Sequence, residues 1–272
     1  MHEPTLFSRR TMLRFGLTLG LGFGACACFF PARLLAAGTT PDAGRAKALQ
    51  AQFGGVSQGV EAWLAPRTGA AKAADIAAES RARFAALIPA IPDIGPGNRN
   101  QESLLQAVWL TAVTQAMQAY GQPEKDAGRL LYDLCQEELS RTPRERLKAQ
   151  GQAMFAPQGR AELAAWTQKT QARRYHGDWV GVAVFGDGAD FDLGYDYSEC
   201  GAVKFFQANG VGAVAPYFCL NDFVLSQAQG TGLSRAHTIG QGDALCDFRY
   251  KKDRPVTQSW DTEEPRFTKK AG

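Results

Sequence analysis

The fold is decided by residues 179–197, which read WVGVAVFGDGADFDLGYDY. Residues 179–185 are rich in β-formers, and residues 186–189 have the composition of a turn. The following residues then alternate between apolar and polar side chains. The apolar members of this alternation are Phe191, Leu193, Tyr195 and Tyr197. This spacing predicts a β-hairpin with one buried face.

Downstream of this hairpin, the pattern predicts two helices and a second hairpin. The helices cover residues 198–209, with Ser198 as a capping residue, and residues 215–229. The second hairpin pairs residues 233–239 with residues 245–250 across a Gly-rich turn. The order β-β-α-α-β-β indicates an α+β unit with a small antiparallel sheet.

Upstream, residues 42–175 are rich in alanine, and their apolar residues recur at three- and four-residue spacing, which predicts helices. One is expected over residues 70–88 and another over residues 101–120, while residues 142–145 (TPRE) resemble a capping box. The fold class is therefore α+β, with a helical N-terminal half. The predicted segments are an export signal (1–37), a helical region (38–174), the α+β unit (175–252) and a charged, frayed tail (253–272).

The first residues have the three parts of a secretory signal. Residues 8–14 read SRRTMLR, an apolar run follows to Phe30, and small residues precede Gly38. This pattern resembles a twin-arginine signal cleaved after Ala37, so we expect a periplasmic protein without a membrane span after cleavage. The twin-arginine export machinery is then a partner. The alternatives are a lone membrane anchor and a lipoprotein cleaved before Cys26.

Composition excludes several classes of protein. The chain has 272 residues, of which 45% are hydrophobic, and a net charge of +3, which is typical of a globular protein and not of a disordered or collagen-like one. Four of the 30 basic and one of the 27 acidic residues lie in residues 1–37, so both counts are 26 in the remaining chain. Charge therefore gives no support for a nucleic-acid partner.

Three of the six cysteines lie close together in the sequence of the α+β unit, at Cys200, Cys219 and Cys246. The acidic residues near them are, in order, Glu199, Asp222 and Asp247. Lys204 lies one helical turn after Cys200, and a cation at this spacing lowers the pKa of a thiol. The pattern is therefore typical of a site for nucleophilic or metal chemistry.

Four short motifs occur in order: residues 199–204 (ECGAVK), 216–222 (PYFCLND), 235–239 (RAHTI) and 242–249 (GDALCDFR). Together they resemble the L-2-amino-thiazoline-4-carboxylate hydrolase family over residues 175–252. The last motif is also similar to small-molecule-binding domains of the 4-vinyl-reductase kind. The hydrolase resemblance implies an enzyme that opens a C–N bond of a small carboxylated ring by adding water, towards a carbamoyl-cysteine and then cysteine.

Such a reaction needs a nucleophile or an activated water, and an acid for the leaving atom. The candidate catalytic residues are Cys219, Cys200, Glu199, Asp222 and Cys246. The candidate substrate-binding residues are Arg235, Lys204 and His237. Arginine suits this role because its guanidinium binds a carboxylate at two points.

Other interpretations of the same residues stay open at this stage. The three thiols are also compatible with packing or a disulfide, and Cys135 is expected in the core. A zinc site that includes His237, or a haem site, is a further alternative, although no CxxC spacing is present. The competing functions are a non-catalytic module that binds a small molecule, a metal or haem, and an accessory subunit of a periplasmic redox enzyme.

Overall fold

The structure is a computed structural model, and it describes residues 43–270. The predicted export signal lies outside these residues. Within the described part of the chain, no helix is both long enough and apolar enough to cross a bilayer.

Six helices form the N-terminal half, as the spacing of apolar residues predicts. They are α1 (Ala43–Thr68), α2 (Ala70–Leu87), α3 (Gln101–Ala119), α4 (Glu124–Arg141), α5 (Arg144–Ala153) and α6 (Pro157–Thr170). Helix α3 contacts α2, α4 and a helix of the α+β unit, and most of its side chains are buried. The predicted capping box does not form, because the Thr142 hydroxyl turns back to the carbonyl of Glu138 at 3.4 Å.

The predicted first hairpin is confirmed. Strands β1 (Val180–Phe185) and β2 (Leu193–Glu199) pair antiparallel, and Tyr195 and Tyr197 point into the core. Ser198 is not a helix cap: it belongs to β2, which continues until Glu199 pairs with Val180. Helix α7 (Gly201–Ala208) therefore begins later than predicted, after Cys200.

The second helical segment is interrupted. Helix α8 (Ala215–Phe218) ends at Cys219, and helix α9 (Asn221–Gln229) begins after Leu220. Because the helix is interrupted here, the backbone carbonyl of Cys219 can accept a hydrogen bond from the side chain of Arg235.

The second hairpin is shorter than predicted. Strand β3 covers only Leu233–Ser234 and pairs with β4 (Cys246–Tyr250), which gives the sheet order β1-β2-β4-β3. The predicted strand over residues 235–239 is wrong, because the chain turns there. The Asp243 carboxylate accepts a hydrogen bond from the backbone N–H of Thr238 at 2.9 Å, and Ile239–Gln241 forms a 3-10 turn.

The C-terminal segment is also different from the prediction. Instead of a frayed tail, residues Trp260–Lys270 form helix α10, whose Trp260 and Phe267 are buried. Both rings pack against Tyr217 at centroid distances of 5.5 and 5.4 Å. These apolar residues are seven positions apart and share one helix face, so the helix docks despite its high charge.

Candidate functional site

Two of the predicted cysteines meet through a threonine that sequence reasoning did not select. The Thr238 hydroxyl donates a hydrogen bond to Cys219 Sγ at 3.5 Å and lies 3.4 Å from Cys246 Sγ. The backbone N–H of Ile239 donates to Cys246 Sγ at 3.2 Å. Cys219 and Cys246 are both buried and both free thiols. The break between α8 and α9, the turn after β3 and the start of β4 therefore converge on one cluster.

A buried ion pair adjoins this cluster. The Arg235 Nη1 donates to the Asp222 carboxylate, and both side chains are about 5% exposed. Arg235 Nη2 donates to the backbone carbonyl of Cys219 at 2.8 Å, and the guanidinium stacks 4.7 Å from the Phe248 ring. The backbone of Arg235 is held by two hydrogen bonds with the Gln258 amide, at 2.9 and 2.8 Å. A fixed positive charge thus contacts the backbone of Cys219.

Burial keeps the thiols protonated. It raises the pKa of Cys219 to about 12, although the Arg235 charge acts in the opposite direction. The pKa of Cys246 is raised for the same reason. Burial also raises the pKa of Cys200, and the nearby Cys219 and Cys246 raise it further. These two thiols raise the pKa of Cys200 because their negative charges, when present, would repel its thiolate.

Glu199 and Lys204 face a different environment. The Glu199 carboxylate pairs with Lys204 and with Arg173, and all three side chains are partly exposed. The Lys204 ammonium also donates to the carbonyl of His176 at 2.9 Å. Desolvation lowers the pKa of Lys204, and its charge still acts on Cys200. This ion cluster therefore lies at the Cys200 end of the site, at the protein surface.

His237 lies at the surface and is apart from the thiols. Its side chain is 61% exposed, and Nδ1 is 3.3 Å from the Asp247 carboxylate. The same carboxylate accepts the backbone N–H of His237 and of Ala236. Asp247 therefore holds the turn that carries Thr238, and the predicted role of His237 in substrate binding has no support from its position.

The thiol cluster is closely enclosed on two sides. A Cβ atom added at Gly240 would lie 3.0 Å from Cys219 Sγ and 3.2 Å from the backbone of Ala215, so only glycine fits without displacement. On the sheet side, Tyr195 stacks on Phe248 at 4.7 Å, and its hydroxyl is 3.0 Å from that of Tyr250. The Arg235 guanidinium lies 4.7 Å from the Phe248 ring, so the buried charge adjoins this aromatic layer as well.

For the alternative of a zinc site, no group of three or more His, Cys, Asp or Glu side chains within residues 43–270 is arranged to hold a metal ion. His237, which that alternative included, contacts Asp247 at the surface. Cys135 is buried in the core, as expected.

Thr238 is the main residue that the sequence analysis missed. It stands in the motif of residues 235–239, three positions after Arg235. The signal was therefore present, but a threonine in a predicted strand suggests no chemistry by itself. The pairing of Asp222 with Arg235 was also missed, because the two were expected to act separately on the substrate.

The fold and the site together define a class: an α+β protein in which a helix break, a short hairpin and a buried arginine gather free thiols. The sequence model of the L-2-amino-thiazoline-4-carboxylic acid hydrolase family matches residues 102–250, more than half of the chain. The chain belongs to this family. The match includes helices α3 to α6 as well as the α+β unit. No curated protein and no solved structure shows a significant match.

Proposed function

We propose that the protein hydrolyses a small carboxylated ring that contains a C=N bond, as the family description indicates, and that Cys219 is the nucleophile. One observation carries this proposal: the Arg235 guanidinium donates to the backbone carbonyl of Cys219 at 2.8 Å, so a carboxylate-binding group contacts the residue that carries the thiol. Substrate carboxylate and attacking sulfur are then positioned by the same interaction.

Arg235 has donors left for a substrate. A guanidinium carries five N–H donors, and within the described residues Arg235 uses them for two acceptors, Asp222 and the Cys219 carbonyl. The remaining N–H groups are suited to a carboxylate. Asp222 is committed to Arg235, so we assign it to holding the guanidinium in place and not to proton transfer.

The protonated thiol suits a reaction on a basic C=N group. As Cys219 sulfur bonds to the ring carbon, its proton passes to the ring nitrogen, and no buried thiolate forms. The ring C–N bond then breaks, and the departing ring nitrogen takes a proton from the exocyclic amino group, which becomes C=NH. Water adds across this C=NH bond. The bond from the carbon to Cys219 sulfur then breaks as the added hydroxyl loses its proton and becomes the carbonyl, which regenerates the thiol. Because the thiol pKa is about 12 in the free protein, the rate of the first step does not depend on thiol ionisation near neutral pH.

The test is turnover of L-2-amino-thiazoline-4-carboxylate by the full chain, followed by NMR as loss of the ring signals. Replacing Cys219 by Ser is expected to lower kcat by about 10³-fold or more, as the loss of a nucleophile does in other enzymes. The control is Thr114→Val, because Thr114 is also a buried threonine, and its hydroxyl donates to the Leu110 carbonyl of its own helix at 2.7 Å. Absence of turnover, or an active Cys219→Ser variant, would contradict the proposal.

A second candidate is a binding module that holds the same carboxylated ligand without reaction. The observation in its favour is that burial raises the pKa of all three thiols, which leaves no resting thiolate. Calorimetry distinguishes the two, since this candidate predicts binding that Arg235→Lys weakens, with no chemical change in the ligand.

Export is proposed on the sequence alone. The paired arginines Arg9 and Arg10 support twin-arginine transport to the periplasm, with cleavage after Ala37. The double variant Arg9→Lys, Arg10→Lys should leave the uncleaved protein in the cytoplasm. Unchanged export of this variant in a cell fractionation experiment would refute the assignment.

A further inference from the structure

The hydrogen bonds around Thr238 form a chain. Thr238 has one O–H proton, and it donates this proton to Cys219 Sγ at 3.5 Å. In its contact with Cys246 Sγ at 3.4 Å either atom can donate, and while the Thr238 proton lies towards Cys219 the Cys246 S–H is the donor to the hydroxyl oxygen. The Ile239 N–H donates to Cys246 Sγ at 3.2 Å. The chain runs from Ile239 through Cys246 and Thr238 to Cys219.

This direction leaves the proton of Cys219 outside the chain. The Cys219 sulfur accepts from Thr238, so its own S–H is available for the ring nitrogen of a substrate. After that proton has left, the sulfur needs another one when it leaves the substrate carbon. Within residues 43–270, the hydrogen bond shown to reach Cys219 Sγ comes from the Thr238 hydroxyl, which belongs to this series of hydrogen bonds.

We propose that Thr238 is a proton relay which carries a proton from Cys246 to Cys219 when the covalent adduct breaks down. This inference rests on the proposed function, because it requires Cys219 to form that adduct. It adds a residue, Thr238, and a specific role for Cys246 as the proton donor.

The step balances. The bond between carbon and Cys219 sulfur breaks, and both electrons stay on the sulfur. The Thr238 proton moves to Cys219 while the Cys246 proton moves to Thr238. The Cys246 thiolate then takes the proton lost by the water whose oxygen has bonded to the carbon, so no oxidant or reductant takes part. The Ile239 N–H and the Arg235 charge both favour the transient Cys246 thiolate.

The experiment compares Thr238→Val, Thr238→Ser and Thr114→Val in the full chain with L-2-amino-thiazoline-4-carboxylate. Acid-quenched samples are analysed by intact-mass spectrometry to separate adduct formation from adduct breakdown. Thr238→Val should form the adduct at a normal rate but break it down about 10²-fold more slowly, as expected for loss of a positioned proton donor. Thr238→Ser should restore breakdown, and Thr114→Val should change neither step.

A purely structural role for Thr238 predicts a different result. If the hydroxyl only packs the thiols, Thr238→Val slows both steps alike, and this outcome would overturn the relay. Should that variant fail to fold, Cys246→Ala replaces it, with the same expected slow breakdown. A Cys246→Ala variant with normal breakdown would equally overturn the proposal.

A measurement without substrate separates this proposal from the hydrolase proposal. The infrared S–H band of Cys246, assigned by its loss in Cys246→Ala, should shift to higher frequency in Thr238→Val, because the hydrogen bond to the hydroxyl is lost. A band shift together with no turnover in the unmodified protein would mean that the hydrogen-bond chain exists but the hydrolase function fails. An unchanged band would refute the chain itself.

Discussion

Removing the charge of Asp222 should destabilise the protein, because Asp222 and Arg235 form a buried ion pair. The perturbation is Asp222→Asn, which keeps the shape and one acceptor of the side chain but removes its charge. The Arg235 guanidinium then remains charged and about 4% exposed, with the Cys219 carbonyl and aromatic rings as its surroundings. Removing one partner of a buried ion pair lowers the free energy of unfolding by about 3–5 kcal/mol. Because the amide oxygen of the new side chain still accepts a hydrogen bond, we expect a loss near the lower value, about 3 kcal/mol.

The matched control is Asp196→Asn in the pair of Asp196 and Arg249. This pair has a similar N–O contact, 2.6 Å, but its side chains are 32% and 26% exposed. Solvent screens such a pair, so the control should cost about 0.5 kcal/mol. The assay is urea unfolding of each variant with the free energy extrapolated to water.

Equal losses of stability in the two variants, within about 1 kcal/mol, would contradict a special cost of breaking the buried pair. A second arm replaces both partners, with Asp222→Leu and Arg235→Met together. Because no uncompensated charge is then buried, the double variant should be more stable than Asp222→Asn alone.

Three further predictions follow from the same geometry. The free energy of unfolding should fall as the pH rises from about 9 to 12. In the unfolded chain Cys219 and Tyr195 ionise near their ordinary pKa values of 9.0 and 10.0, whereas burial raises both pKa values to about 12 in the folded protein. Urea unfolding at alkaline pH should show a loss for Cys219 of about 1.4 kcal/mol per pH unit, and a flat profile would contradict this prediction. His237→Ala should leave kcat/KM within about fivefold, since an exposed pair contributes at most about 1 kcal/mol, and a larger loss would place His237 in the site. Gly240→Ala should destabilise the protein by about 1–3 kcal/mol and slow turnover, because the added carbon displaces the Cys219 thiol. Gly54→Ala is the control: open space surrounds its added carbon, so the free energy of unfolding should stay the same or increase.

Much of the fold was predictable because its elements have strong periodic signals. The alternation of residues 191–197 identified β2, and the three- and four-residue spacing identified α2 and α3 nearly to their ends. Helix α10 was missed because its apolar face has only two large residues, Trp260 and Phe267, among charged neighbours. Its stability comes from contact with Tyr217, a residue distant in the sequence.

The site was predictable in its residue types but not in its pairings. Cys219, Cys246, Asp222 and Arg235 were all selected from the sequence, and the structure brings them together. Which of these side chains bond to one another depends on the break between α8 and α9 and on the turn at residues 238–243. Neither feature has a local sequence pattern from which these hydrogen bonds could be predicted. Glu199 was selected as a possible proton-transfer group beside Cys200. Its carboxylate instead forms ion pairs with Arg173 and Lys204 at the end of strand β2.

The most direct test of the central claim is to detect the covalent bond between Cys219 and the substrate. The full chain is mixed with L-2-amino-thiazoline-4-carboxylate, quenched in acid within the first turnover, and mapped by peptide mass spectrometry. If Cys219 is the nucleophile, a ligand mass appears on Cys219, disappears on longer incubation and is absent from Cys219→Ser. Turnover without any adduct on Cys219, unaffected by that substitution, would contradict it.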